Sequence, residues 1–120
     1  MSAIWSEEAK LERWLAVELA ALDGWTAVGV VPDADAVAIR RGAVAPSAER
    51  VAEIERETNH DVAAFVDAVA ERLGEEGRWF HYGLTSSDVL DTALSLAVQE
   101  SGTLLLAGLD RAFRVVAARA

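Results

Sequence analysis

Apolar residues recur at steps of three and four along most of this sequence, and only Pro32 and Pro46 stand in their way. That spacing confines the chain to helices, because one face of an α-helix repeats every 3.6 residues. Leu11, Trp14, Leu15, Leu19, Leu22 and Trp25 form the stripe of a first helix over 5–28. Ser6 offers a capping hydroxyl, and Glu7 and Glu8 suit the positive helix end. Gly29 and then Pro32 stop the helix. A short helix over 33–41 follows, capped by Asp33 or Asp35, and 42–46 is a turn. Ser47 caps a third helix, with Val51 and Ile54 on its inner face. A fourth begins around 59–61 and carries Val62, Phe65, Val66, Val69 and Leu73 inward.

Gly74 and Gly77 bracket a charged loop. The stretch Arg78-Trp79-Phe80-His81-Tyr82-Gly83-Leu84-Thr85-Ser86-Ser87-Asp88 has no helical period and reads as an ordered loop, with Trp79 and Phe80 as core anchors. Ser86 or Ser87 then caps a helix carrying Val89, Leu90, Ala93, Leu94 and Ala97, which Gly102 bends or interrupts. Leu106, Leu109, Phe113, Val116 and Ala120 continue at steps of three and four, as in the seam of a long bundle helix. No Gly or Pro follows Ala120. The expectation is a fragment whose seam awaits more chain or a partner. The fold class is all-α: an N-terminal helical domain over 1–84 and the start of a central helical bundle over 85–120.

Charge and cysteine usage narrow the function. The net charge is −9 and Lys10 is the sole lysine, so the chain makes a poor nucleic-acid surface. An anionic small ligand would need a local site of hydroxyls, backbone N–H groups, His or Arg. Cysteine is absent, and two His without Cys do not make a zinc site. No Gly-rich phosphate loop is present. The start is not a signal peptide, and no apolar run approaches the roughly 20 residues that span a bilayer. A soluble cytoplasmic protein with no metal, no organic cofactor and no membrane partner is expected.

Several residues bear chemistry, each with a plain alternative. His60, at a helix start, is either a proton-transfer group facing a cleft or a surface capping residue. Thr85, Ser86 and Ser87 open a helix. They either converge on a carboxylate or phosphate together with free N–H groups, or simply cap. Asp61 and Asp88, each in a first helical turn, are candidates for substrate binding, and the helix dipole explains Asp88 equally well. His81 either binds an anion or fills a turn. Arg40, Arg41, Arg50, Arg56 and Arg72 read as solvated helix faces.

Taken together, three stretches resemble the adenylosuccinate lyase family of the fumarase/aspartase superfamily. The run Gly83-Leu84-Thr85-Ser86-Ser87-Asp88-Val89-Leu90-Asp91-Thr92-Ala93 is similar to the superfamily's first signature, with Ser87-Asp88 favouring this family over its cycloisomerase relatives. Ile4-Trp5-Ser6-Glu7-Glu8, continuing through Trp14-Leu15-Ala16-Val17-Glu18-Leu19-Ala20, is similar to the opening helix. Thr58-Asn59-His60-Asp61-Val62 is similar to its Thr-x-His-Asp-Val element, although Asn59 stands where Arg or Lys is common.

The resemblance implies fumarate-forming elimination of a C–N bond in adenylosuccinate and in succinylaminoimidazole carboxamide ribotide, in purine nucleotide synthesis. It implies His60 in the active site, Thr85 and Ser86 on the succinyl carboxylate, and His81 near the nucleotide phosphate. It also implies a homotetramer whose sites draw on three subunits. The family's serine-loop signature Ser-Ser-x-Met-Pro-x-Lys-x-Asn and its second active-site histidine do not occur here, so the 120 residues alone are expected to be inactive. A carboxymuconate-type cycloisomerase and a non-catalytic helical assembly module are the alternatives.

Overall fold

The computed structural model describes residues 1–119, and among them there are helices and turns but no strand. A single 3₁₀ turn, Ser2–Trp5, precedes α1, Glu7–Ala27. Ser6 Oγ accepts the Ala9 N–H at 3.2 Å and so caps α1, as its hydroxyl predicts. The second helix, α2, spans Asp33–Gly42. Neither expected aspartate caps it. Pro32 holds the N-cap position and its carbonyl accepts the Ala36 N–H at 3.0 Å. Pro32 enters with φ −62°, the value its ring favours, and Asp33 and Asp35 fall inside the first turn. Asp35 instead accepts from Trp79 Nε1 at 2.8 Å and from Arg78 at 3.0 Å.

Helix α3, Ala48–Thr58, is capped by Ser47, and α4 spans Asp61–Ala70. Asn59 separates them with φ 53°. That left-handed conformation closes α3, and an asparagine tolerates it better than most residues. Leu73 lies in the turn beyond α4 rather than on it. The expected charged loop is partly a 3₁₀ helix, Glu75–Trp79. The last helix, α5, runs Ser86–Ala117 without interruption at Gly102. Its N-cap is Thr85, not Ser86 or Ser87. Thr85 and Asp88 form a capping box in which the Asp88 carboxylate accepts the Thr85 N–H at 2.8 Å.

The core sits where α1, α4 and the start of α5 meet. Leu11, Trp14 and Leu22 from α1 pack with Val62, Phe65 and Val69 from α4, with Ile39, Phe80, Val89 and Ala93 completing the cluster. Trp14 meets Phe65 edge-on, with ring centroids 5.5 Å apart. Burying one such aromatic stabilises by about 1.5–3 kcal/mol. Arg13 ties α1 to α5 by bonding both oxygens of Glu100, at 3.1 and 2.9 Å. The second half of α5 leaves this body. Leu106, Leu109, Phe113 and Val116 are all exposed, and the molecule is drawn out to 65 × 36 × 23 Å. Ala120, the last position of the expected seam, lies outside the described residues.

Candidate active site

The start of α4 and the start of α5 are brought side by side. His60 is the N-cap of α4, and its Nδ1 accepts the Ala63 N–H at 3.2 Å. A ring nitrogen that accepts carries no proton, so a neutral His60 holds its proton on Nε2. Nε2 lies 3.2 Å from Ser86 Oγ. With the ring donating, Ser86 accepts, and its own O–H is left to donate elsewhere. Two residues 26 positions apart in sequence thus share one hydrogen bond at the mouths of two helices.

The neighbouring side chains differ in what they do. Asp61 Oδ1 accepts the Val62 N–H at 2.7 Å, which holds it in the first turn of α4. Asp88 is committed to the capping box. Thr85 and Ser87 are exposed and Ser86 is half-buried, so the hydroxyls face an open surface. The N–H groups of the first turn of α5 lie behind them with the positive end of the helix dipole. Hydroxyls and N–H groups gathered in this way suit a carboxylate or phosphate. Two cavities lie elsewhere. One of about 360 Å³ is lined by Trp5, Trp14, Leu90 and Leu94 between α1 and α5. A smaller one, of about 80 Å³, touches Asp61 alone among the singled-out residues.

His81 takes a different place from the His60–Ser86 pair. Its φ is 63°, a left-handed conformation that a residue with a Cβ adopts at a cost. Its Nδ1 lies 2.6 Å from Glu18 Oε1. Glu18 is on α1, and burial pushes its carboxyl above the ordinary range while the bond from His81 opposes that shift. The loop is fixed by aromatic edges: Trp79 against Tyr82 at 5.1 Å, and Trp25 against Tyr82 at 5.5 Å. Gly83 has φ 72°, and a Cβ there would come within 2.7 Å of the Trp25 ring, so only glycine fits this close passage.

Glu18 is the residue that sequence reasoning passed over. The signal was present: Leu11, Trp14, Glu18 and Leu22 fall at steps of three, four and four, so a carboxylate sits in the apolar stripe. The singled-out arginines are surface groups. Arg40 pairs with Asp23, and Arg50 bridges Glu53 and Glu71. No cluster of His, Cys, Asp and Glu suited to a metal ion occurs among the described residues.

Known proteins are similar to this chain in sequence and in fold. The family described as lyase matches residues 1–120. The adenylosuccinate lyase of Bacillus subtilis (strain 168) is 45% identical over 120 residues, which is all of this chain and 28% of that protein. The adenylosuccinate lyase of Staphylococcus saprophyticus is likewise 45% identical over 120 residues and 28% of its length. The chain therefore spans 28% of the length of these curated relatives. A crystal structure of a fumarate lyase from Mesorhizobium sp. BNC1 superposes with a TM-score of 0.80, covering 87% of this chain and 25% of that one. At 24% identity, that likeness is one of all-helical fold.

Proposed function

This chain belongs to the lyase family, and from that premise we propose that it forms the N-terminal part of an adenylosuccinate lyase. The reaction would release fumarate from adenylosuccinate, giving AMP, and from succinylaminoimidazole carboxamide ribotide. The observation that carries the reading is the bond between His60 Nε2 and Ser86 Oγ at the opening of α5. It leaves the Ser86 hydroxyl proton free to meet a carboxylate.

The chemistry explains why such donors matter. In the elimination, a base removes the proton from the carbon beside one succinyl carboxylate. Electrons collect on that carboxylate, which becomes a doubly negative aci form. The C–N bond then breaks, the electrons close the fumarate double bond, and an acid protonates the departing nitrogen. Donors aimed in advance at the carboxylate stabilise the dianion, and losing one such donor lowers kcat by roughly 10²–10³-fold. Thr85, Ser86 and Ser87, with the N–H groups of α5, are the donors this reading assigns. His60 orients Ser86. The base and the acid are not assigned to this chain. The bundle role of 85–120, the tetrameric assembly and a cytoplasmic location belong to the same proposal.

A chimera tests it. These 120 residues replace the matching segment of the Bacillus subtilis enzyme, and fumarate release from adenylosuccinate is followed by absorbance. The chimera is expected to turn over, Ser86→Ala to lower kcat by about 10²-fold, and the 120 residues alone to release none. A Thr85→Ala, Ser86→Ala chimera as fast as its parent would overturn the reading.

A further inference from the structure

Glu18 is a buried ionisable group that the elimination leaves unused. Its side chain is 0% exposed, and Oε2 has no hydrogen-bond partner among the described residues. An unpaired buried carboxylate oxygen is costly, and Leu or Met would suit the surrounding stripe better. What Glu18 gains is His81. That histidine is held in a left-handed conformation, on a loop pinned by Trp79, Tyr82 and Trp25, with Nδ1 against Glu18 Oε1. Its side chain stays 24% exposed, and Nε2 bonds to no described residue.

We propose that Glu18 is a positioning residue for anion binding: its carboxylate accepts the Nδ1–H of His81 and holds the ring so that Nε2 meets a phosphate-like group of the substrate. A buried acceptor on one ring nitrogen fixes which nitrogen is presented outward, as outer carboxylates do for histidines that bind metals. The inference rests on the nucleotide-lyase reading for the identity of the anion. The pairing of Glu18 with His81 does not depend on it.

The test uses the full chain labelled with ¹⁵N-histidine, with inorganic phosphate as the probe. The His81 ring is expected to show a protonated Nδ1, and phosphate to shift its Nε2 signal. In Glu18→Leu the Nδ1–H signature is lost and the phosphate response weakens by roughly tenfold. Glu18→Gln, whose amide oxygen can still accept, retains the Nδ1–H signature. The His60 ring, seated on Ser86, reports that each variant is folded. If Glu18→Leu unfolds the chain, Glu18→Met carries the same expectation. An unchanged His81 signature in a folded apolar variant would overturn the proposal, as would a native His81 indifferent to phosphate. The chimera separates the two readings: a phosphate-responsive His81 in a chimera that forms no fumarate sinks the lyase assignment and leaves the positioning role standing.

Discussion

His60 spends one ring nitrogen on its own helix and the other on Ser86, whereas His81 spends one on a buried acid. The two histidines therefore differ in their dependence on neighbours, and Glu18 carries a consequence for stability. Burial raises its carboxyl in the folded state. The folded chain then holds that proton to higher pH than the unfolded chain does. The stability this group contributes is complete below the ordinary carboxyl range and is lost as pH rises through the folded value. Glu18→Gln cannot titrate, so its stability relative to the native chain should rise from acid pH towards neutrality. Urea midpoints measured at a series of pH values check this, and a difference that stays flat or falls counts against it. His81 supplies the hydrogen bond that opposes this shift, so His81→Leu should steepen the native decline by removing it.

At the scale of elements, α4 is the centre of the arrangement, since its inner face supplies the core and its N-cap, His60, supplies the site. Phe65 is 0% exposed and touches the rings of Trp14 and Phe80. Phe65→Ala should cost about 3–5 kcal/mol through lost contacts and the cavity left behind. The urea midpoint measures this, and a loss under about 1 kcal/mol would mean the site collapses freely. Much of this architecture was legible, because capping is local chemistry. Ser6 and Ser47 cap the helices their hydroxyls announce. The limits of such reading were local as well. Thr85, Ser86 and Ser87 are near-equal cappers, and the sequence does not distinguish them until Asp88, three residues on, selects Thr85 through the capping box. At α2 a proline displaced two good capping acids. The carboxylate in the stripe of α1 was visible, but its partner 63 residues away was not.

At the scale of the whole molecule, α5 has two unlike halves. Val89, Ala93, Ala97 and Ser101 are buried against the rest of the chain. By length and composition alone this helix could cross a bilayer, yet these four positions face protein. Beyond them Leu106, Leu109, Phe113 and Val116 are 65–73% exposed and share one face at steps of three, four and three. Water contact along such a stripe is unfavourable by about 25 cal/mol for each Å² that a partner would cover. The same steps in another copy offer a matching seam. The chain should therefore self-associate as its concentration rises. Phe113→Glu with Leu109→Glu should shift it to monomer without altering the α1–α4 core, because neither side chain touches that core. Sedimentation velocity over a concentration series, with helicity as the control, reads both effects. A native chain that stays monomeric throughout the series would mean that the stripe is tolerated in water and that the seam does not specify assembly.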